Sequence, residues 1–135
     1  MKHAQTNKEF IYEMISQKKK LEDYPGRASD SMVVYEPSSL PFGGVYKGYD
    51  AYQQFYPRVR DFYDFSRFEL LNVYADSNDV FAIIKAGIAN STGSILLCEH
   101  FTFNNEGQII EVRLFIHDFE GKPVHLLVKD SKQNR

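Results

Sequence analysis

Residues 66–117 read SRFELLNVYADSNDVFAIIKAGIANSTGSILLCEHFTFNNEGQIIEVRLFIH. Four strand-like segments, Ser66–Asp76, Val80–Asn90, Ile95–Phe103 and Gln108–His117, are separated by Ser77-Asn78-Asp79, Ser91-Thr92-Gly93-Ser94 and Asn104-Asn105-Glu106-Gly107. Links this short, built from Ser, Asn, Asp and Gly, form tight turns, so consecutive strands pair antiparallel. The chain ahead of this meander changes period. Asn7 to about Glu22 carries Phe10, Ile11, Met14, Ile15 and Leu21 near one helical face. Pro25 then opens a short second helix ending near Asp30. Ser31–Glu36 is a strand stopped by Pro37, which cannot donate to a ladder. Val45-Tyr46 is a brief strand returning beside it. Gly48 to about Tyr63 is helical, packing through Tyr52, Phe55, Tyr56, Val59 and Phe62, with a kink or break at Pro57. Helices first and long strands after predict an α+β fold, a cone-shaped curved antiparallel sheet with two or three helices covering its concave face. A single domain over 1–135 is expected, its tail after about residue 119 adding a short helix or fraying.

Composition narrows the function classes. The 135 residues carry a net charge of −2, the wrong sign for a phosphate-backbone binder. The one basic run, Lys18-Lys19-Lys20, reads as the solvated end of a helix, where cations suit the dipole, with an anion or nucleic-acid contact as the alternative. The only cysteine, Cys98, allows no internal disulfide, and no apolar leader or membrane-length run is present, so a cytoplasmic setting is expected. The histidines His3, His100, His117 and His125 are scattered without metal-ligand spacing, so neither a metal nor another cofactor is implied. Aromatic content is 15%, from 11 Phe and 9 Tyr, enough to fill a core or to line an apolar pocket.

Alternation places the candidate chemistry. In the third long strand one row is Ile95, Leu97, Glu99, Phe101, Phe103. Glu99 interrupts an otherwise apolar face, and burial there raises a carboxyl's pKa. Glu36 likewise ends the row Met32, Val34 of the first strand, and Asp118 ends Ile110, Val112, Leu114, Ile116 of the last. Carboxyls in an apolar cleft suit acid–base work on a carbon acid, one as base and a neutral one as hydrogen-bond donor. The candidate catalytic set is therefore Glu36 as base, Glu99 held neutral, and Asp118 near the rim. The candidate ligand contacts are Met32 and Val34; Ile84, Leu97 and Phe101; Val112, Leu114 and Ile116; Phe42, Tyr46 and Phe55; and Tyr12 and Met14 on the first helix. A plainer reading stands beside this one. Glu99 is then a strand glutamate satisfied by a tyrosine or the backbone, Glu36 is exposed at a strand end, and the aromatics fill the core.

Two runs carry a resemblance. Val33-Val34-Tyr35-Glu36-Pro37, continuing through Leu40-Pro41-Phe42-Gly43-Gly44-Val45-Tyr46-Lys47-Gly48, resembles the entry segment of SnoaL-like and ketosteroid-isomerase-like proteins of the nuclear-transport-factor-2-like superfamily. Glu99-His100-Phe101-Thr102-Phe103 with Glu106-Gly107-Gln108-Ile109-Ile110-Glu111-Val112-Arg113 resembles the family's last hairpin. The resemblance implies that Glu36 holds the position of the base that precedes a proline, and Glu99 that of the protonated acid, each with one extra methylene. The tyrosine of the family's first helix has Tyr12 as nearest candidate, while matching the apolar face puts Met14 in its place. These departures point away from ketosteroid isomerisation itself and towards a related isomerase or cyclase reaction on another carbonyl compound.

Two functions follow, an acid–base enzyme and a non-catalytic binding or assembly module. Both take a small apolar or aromatic molecule, with no nucleic acid and no membrane. Both admit a homodimer through the back of the sheet, where Leu96/Cys98/His100/Thr102 and Phe81/Ile83/Lys85 are half apolar.

Overall fold

The computed structural model describes residues 6–117. Within them the chain runs α1 (Asn7–Ser16), β1 (Ala28–Glu36), β2 (Gly44–Lys47), α2 (Tyr49–Phe62), β3 (Tyr63–Asp76), β4 (Asp79–Ile88), β5 (Ser94–Phe103) and β6 (Ile109–His117), with a 3₁₀ turn at Leu21–Asp23. The strands form one six-stranded sheet in the order β2-β1-β6-β5-β4-β3. β3 to β6 are the antiparallel meander that their short links require. The sheet is nonetheless mixed, because β1 lies parallel to β6, with Val34 opposite Val112 and Tyr35 opposite Arg113. Parallel neighbours need a long crossover, and everything from β2 to β5 supplies it.

Local chemistry sets the ends of α1. Thr6 caps it in a reciprocal box: its hydroxyl accepts from the Glu9 amide at 3.1 Å, and the Glu9 carboxylate accepts from the Thr6 amide at 3.0 Å. The helix stops at Ser16, short of the expected Glu22, because Lys18 takes a left-handed conformation (φ 56°). The Lys18 amide donates to the Ile15 carbonyl and the Lys19 amide to the Met14 carbonyl, at 3.1 and 2.9 Å. This is a Schellman ending with lysine where glycine is usual. Leu21 reaches the core from the 3₁₀ turn instead. No second helix follows Pro25. Gly26 turns the chain (φ 85°), and β1 then begins against the β5–β6 turn, where the Ile109 amide donates to the Arg27 carbonyl at 2.9 Å. The Arg27 side chain ties the same corner, donating to the Gly107 carbonyl and to Asn7 Oδ1 at 2.8 Å each.

α2 runs through Pro57 without a break. Pro57 and Gln53 are both exposed, so the carbonyl that loses its donor faces water. The opposite face is fixed by ring contacts such as Tyr46 stacked on Phe55 at 3.9 Å. α1 packs on β3 and β4, and α2 on β1, β2 and β3, so both helices cover the concave face. β4 shows why. Val80, Ala82, Ile84, Ala86 and Ile88 are buried, and the residues between Val80 and Ala86 in the other row are only half-buried. β6 departs from simple alternation. A register shift at its start, beside Thr102 and Phe103, buries Ile109 and leaves Ile110 exposed, before Val112 and Leu114 resume the inward row. No helix among the described residues is long and apolar enough to cross a membrane.

Candidate functional site

A cavity of about 130 Å³ lies between the helices and the concave face. Met32, Val34, Leu97, Phe101, Val112 and Leu114 form much of its strand wall, and Ile84 joins them from β4. Met14 and Ile15 close it from α1, and Phe55, Tyr56 and Val59 from α2. Glu36 and Glu99 are the two carboxyls in the lining. Glu99 stands opposite Leu114 of β6, and the residue before Leu114 stands opposite the residue before Glu36. The two acids therefore sit at one level of the sheet with a single strand between them, roughly 10 Å apart at the backbone. Both point to the same face.

Their surroundings favour the protonated forms. Burial pushes Glu36 up to about 8, and the Glu99 charge adds to the rise. Burial pushes Glu99 up to about 7. Glu99 keeps some accessible surface because it lines the cavity, yet protein encloses it. The two titrations are linked, since a charge on Glu99 helps to hold the proton on Glu36.

A third group joins them. Tyr63, at the α2–β3 junction, is 6% exposed and its ring is held by Phe42, Phe62 and Phe68. Among the described residues, two buried side-chain polar atoms lack a hydrogen-bond partner, Glu36 Oε1 and the Tyr63 hydroxyl. Burial, then the charges of Glu36 and Glu99, raise the Tyr63 pKa well above its ordinary value, so it stays a hydroxyl donor. Tyr52 and Tyr56 on α2 are also raised, first by burial, and the Glu99 charge contributes to both. Leaving buried polar atoms unpaired costs roughly 1–3 kcal/mol each, so this corner is expensive as it stands.

Several expected contacts lie elsewhere. Tyr12 is 57% exposed and borders a separate shallow depression, because the helical turn that aims Met14 inward aims Tyr12 out. Phe42 is buried behind the wall, edge-on to Phe62. Tyr46 stacks behind Phe55 and donates its hydroxyl to the Phe42 carbonyl at 2.7 Å. Ile116 packs against the core beyond the cavity. Asp118 lies outside the described residues. Conversely, the cavity includes Tyr63, Phe65 and Phe68, and at its rim Lys18, Lys19 and Arg60, none of which was expected there. The spacing of Tyr52, Phe55, Tyr56 and Val59 was a usable signal for the α2 side. Phe65 and Phe68 gave none, because a register irregularity in β3 between Asp64 and Glu69 brings them to one side, 4.6 Å apart and edge-to-face.

The geometry can now be set beside known proteins. No protein-family model matches the chain, and no curated protein matches it. Solved structures do. A steroid delta-isomerase from Pseudomonas aeruginosa is 14% identical, with 92% of this chain and 85% of that one covered and a TM-score of 0.68. An NTF2-like protein from Burkholderia thailandensis is 14% identical, with 96% and 98% covered and a TM-score of 0.70. A structure described as a SnoaL-like polyketide cyclase, from a Jannaschia species, is 14% identical, with 82% and 84% covered and a TM-score of 0.64. The chain therefore has the nuclear-transport-factor-2-like fold, with the curved sheet and covering helices expected from its sequence.

Proposed function

We propose that the chain binds a small, largely apolar carbonyl compound and moves a proton on the carbon beside the carbonyl, as an isomerase or cyclase does. One observation carries the reading: two glutamates whose proton affinities burial raises to neutral pH or just above share an apolar cavity with an unpartnered tyrosine hydroxyl. In this reading Glu99 is the base. It takes the proton from the α-carbon, the C–H electron pair forms a C=C bond, and the carbonyl π pair moves onto oxygen to give an enolate. Protonated Glu36 and the Tyr63 hydroxyl donate hydrogen bonds to that oxygen. Return of the proton to a different carbon gives isomerisation, and attack of the enolate carbon on a second carbonyl gives ring closure. The steroid isomerase and the cyclase among the structural neighbours are consistent with such chemistry, although their likeness at this identity speaks to fold.

The test is deuterium incorporation at the α-carbon of small aryl ketones, beginning with acetophenone, followed by NMR in D₂O. Activity needs Glu99 ionised and Glu36 protonated, so a bell-shaped profile centred between about pH 7 and 8 is expected. Ketones that bind in the cavity yet exchange no faster than in buffer would leave a binding module in place of the enzyme. For both readings we place the protein in the cytoplasm, consistent with its single unpaired thiol, Cys98. A homodimer through the convex face is supported by Phe115, half exposed there at 50%. A mass by sedimentation that stays at one chain for both the parent and Phe115→Lys would remove that part.

A further inference from the structure

The charged groups of the cavity are arranged along an axis that the acid–base reading leaves unused. Away from the opening stand Tyr63, Glu36 and Glu99, the last two being the only acids in the lining. At the exposed end the lining contains three cations, Lys18, Lys19 and Arg60, and no further acid. A chain of net charge −2 thus gathers three of its 16 basic residues around one small opening.

The partners of these cations sharpen the point. Lys19 makes an ion pair with Glu13 at 3.4 Å, and Glu13 also accepts from the Tyr24 hydroxyl at 2.8 Å. Lys18 and Arg60 have no ion-pair partner among the described residues, and Arg60 is hydrogen-bonded to the neutral Tyr56 side chain. Glu22 and Asp61 border an adjoining depression with Lys20 and Arg60, outside the cavity itself. Arg60 lies over the Phe65 ring at 5.1 Å, which holds its guanidinium beside the apolar wall. Lys18 is placed at the opening by the left-handed residue that ends α1, a conformation that costs a lysine more than a glycine. Size adds a second limit. About 130 Å³ is close to the roughly 150 Å³ of an apolar cavity that accepts benzene, so the body of the ligand is one ring or a short chain.

We infer that the ligand is a small organic acid, a one-ring or short-chain oxo acid whose carboxylate sits among Lys18, Lys19 and Arg60 at the opening and whose carbonyl, at the far end, meets Glu36 and Tyr63. The placement of the carbonyl rests on the proposed acid–base function, and the placement of the carboxylate does not. The arrangement also explains orientation, since an anion entering head-first meets carboxyls and an apolar wall, and entering tail-first leaves its charge at the cations.

Three probes on one acetophenone frame test this with the whole chain: 4-acetylbenzoate, acetophenone, and acetophenone bearing a para aminomethyl group. Calorimetry gives their affinities, and NMR in D₂O gives exchange of their acetyl protons. Exposed ion pairs are individually weak, so three together predict that 4-acetylbenzoate binds on the order of 10-fold more tightly than acetophenone at low salt, an advantage that salt erodes. The double variant Lys18→Gly with Arg60→Gln is expected to bring the two affinities within about twofold. Glycine suits the φ of position 18, so the turn survives, and Arg60→Lys is expected to keep the preference. Equal binding of the acid and the neutral ketone, tighter binding of the ammonium probe, or no binding of any of them overturns the inference. The two readings also fail separately. A carboxylate preference without proton exchange keeps the organic acid and removes the catalysis, whereas equal binding and exchange of both ketones keeps the catalysis and removes the organic acid.

Discussion

The two faces of the sheet are built from the same strands and treat polar side chains in opposite ways. On the convex face His100 Nε2 meets Asp79 Oδ1 at 2.8 Å while its ring stacks on Phe81 at 4.2 Å. Arg113 donates to Glu111 at 3.1 Å and lies over Tyr35 at 3.8 Å. On the concave face, one residue before His100, Glu99 sits in an apolar cavity, and across one strand Glu36 keeps an oxygen without a partner. Polar groups on a wet face pair with whatever neighbour the register offers, at little gain or cost. Polar groups on a dry face either pair or raise the free energy of the fold. Acids and a hydroxyl left in the second condition mark the side where ligand chemistry belongs.

The widest gap between the faces is expected in catalysis. Glu99→Gln keeps the shape of the neutral side chain and removes the base, so α-proton exchange should fall by about 10²-fold or more. Glu111→Gln, the matched change on the convex face, should leave the rate within about twofold, because a solvated glutamate has no route to the substrate. Exchange measured for both variants checks this. A rate that survives Glu99→Gln breaks the distinction at its strongest point.

How far this distinction was legible in the sequence depends on the element. The rows Leu97/Glu99/Phe101 and Met32/Val34/Glu36 follow from period-2 alternation, which a regular strand obeys, so the acids could be named before any coordinates. Tyr63 could not, because it sits where a period of 3.6 gives way to one of 2 and neither pattern assigns it a face. Phe65, Phe68 and Ile109 were hidden by register irregularities that shift the phase locally. Lys18 was hidden by its backbone, since a lysine run gives no warning of a left-handed residue. The parallel pairing of β1 with β6 joins segments more than 70 residues apart, beyond any local pattern.

A smaller effect than the loss of catalysis is expected in stability against pH. In the fold Glu36 holds its proton to about pH 8, against an ordinary value of 4.5, and Glu99 to about 7. The unfolded chain therefore releases these protons first, and the stability they contribute is full below about pH 4.5 and lost as pH rises towards 8. Glu36→Gln removes the larger part. Denaturant melts should show the variant close to the parent at pH 4 and more stable by roughly 2–3 kcal/mol at pH 8, below the ceiling set by about 1.4 kcal/mol per pKa unit. A parent that gains stability relative to the variant over that interval would show Glu36 to be solvated or paired.

Tyr63→Phe separates cost from use within the concave face. It deletes a buried hydroxyl without a partner, so stability should hold or rise by up to about 1 kcal/mol. The same change should slow exchange by about 10-fold, through loss of one donor to the enolate oxygen. Stability and rate moving in opposite directions is the signature of a group kept for chemistry. A fall in both, seen by thermal melts and exchange together, would assign Tyr63 to the core alone.

The smallest expected effect lies on the convex face, and it bears directly on the comparison. The His100–Asp79 contact is short at 2.8 Å, but the Asp79 side chain is 43% exposed and that of His100 22% exposed. Water competes for both ends in the single chain, so at concentrations too low for a dimer a double-mutant cycle of His100→Ala and Asp79→Ala should return a coupling of only about 0.5 kcal/mol. Thr102 also reaches Asp79 Oδ1, at 3.4 Å, and keeps part of its satisfaction when the histidine is removed. The cycle therefore isolates the histidine contact rather than the fate of the aspartate. A coupling several times larger would mean that the convex face is drier than its exposure implies, as when a second copy covers it. Repeating the cycle at two protein concentrations decides between these, since coupling that grows with concentration belongs to an interface and coupling that does not belongs to the strand pair itself.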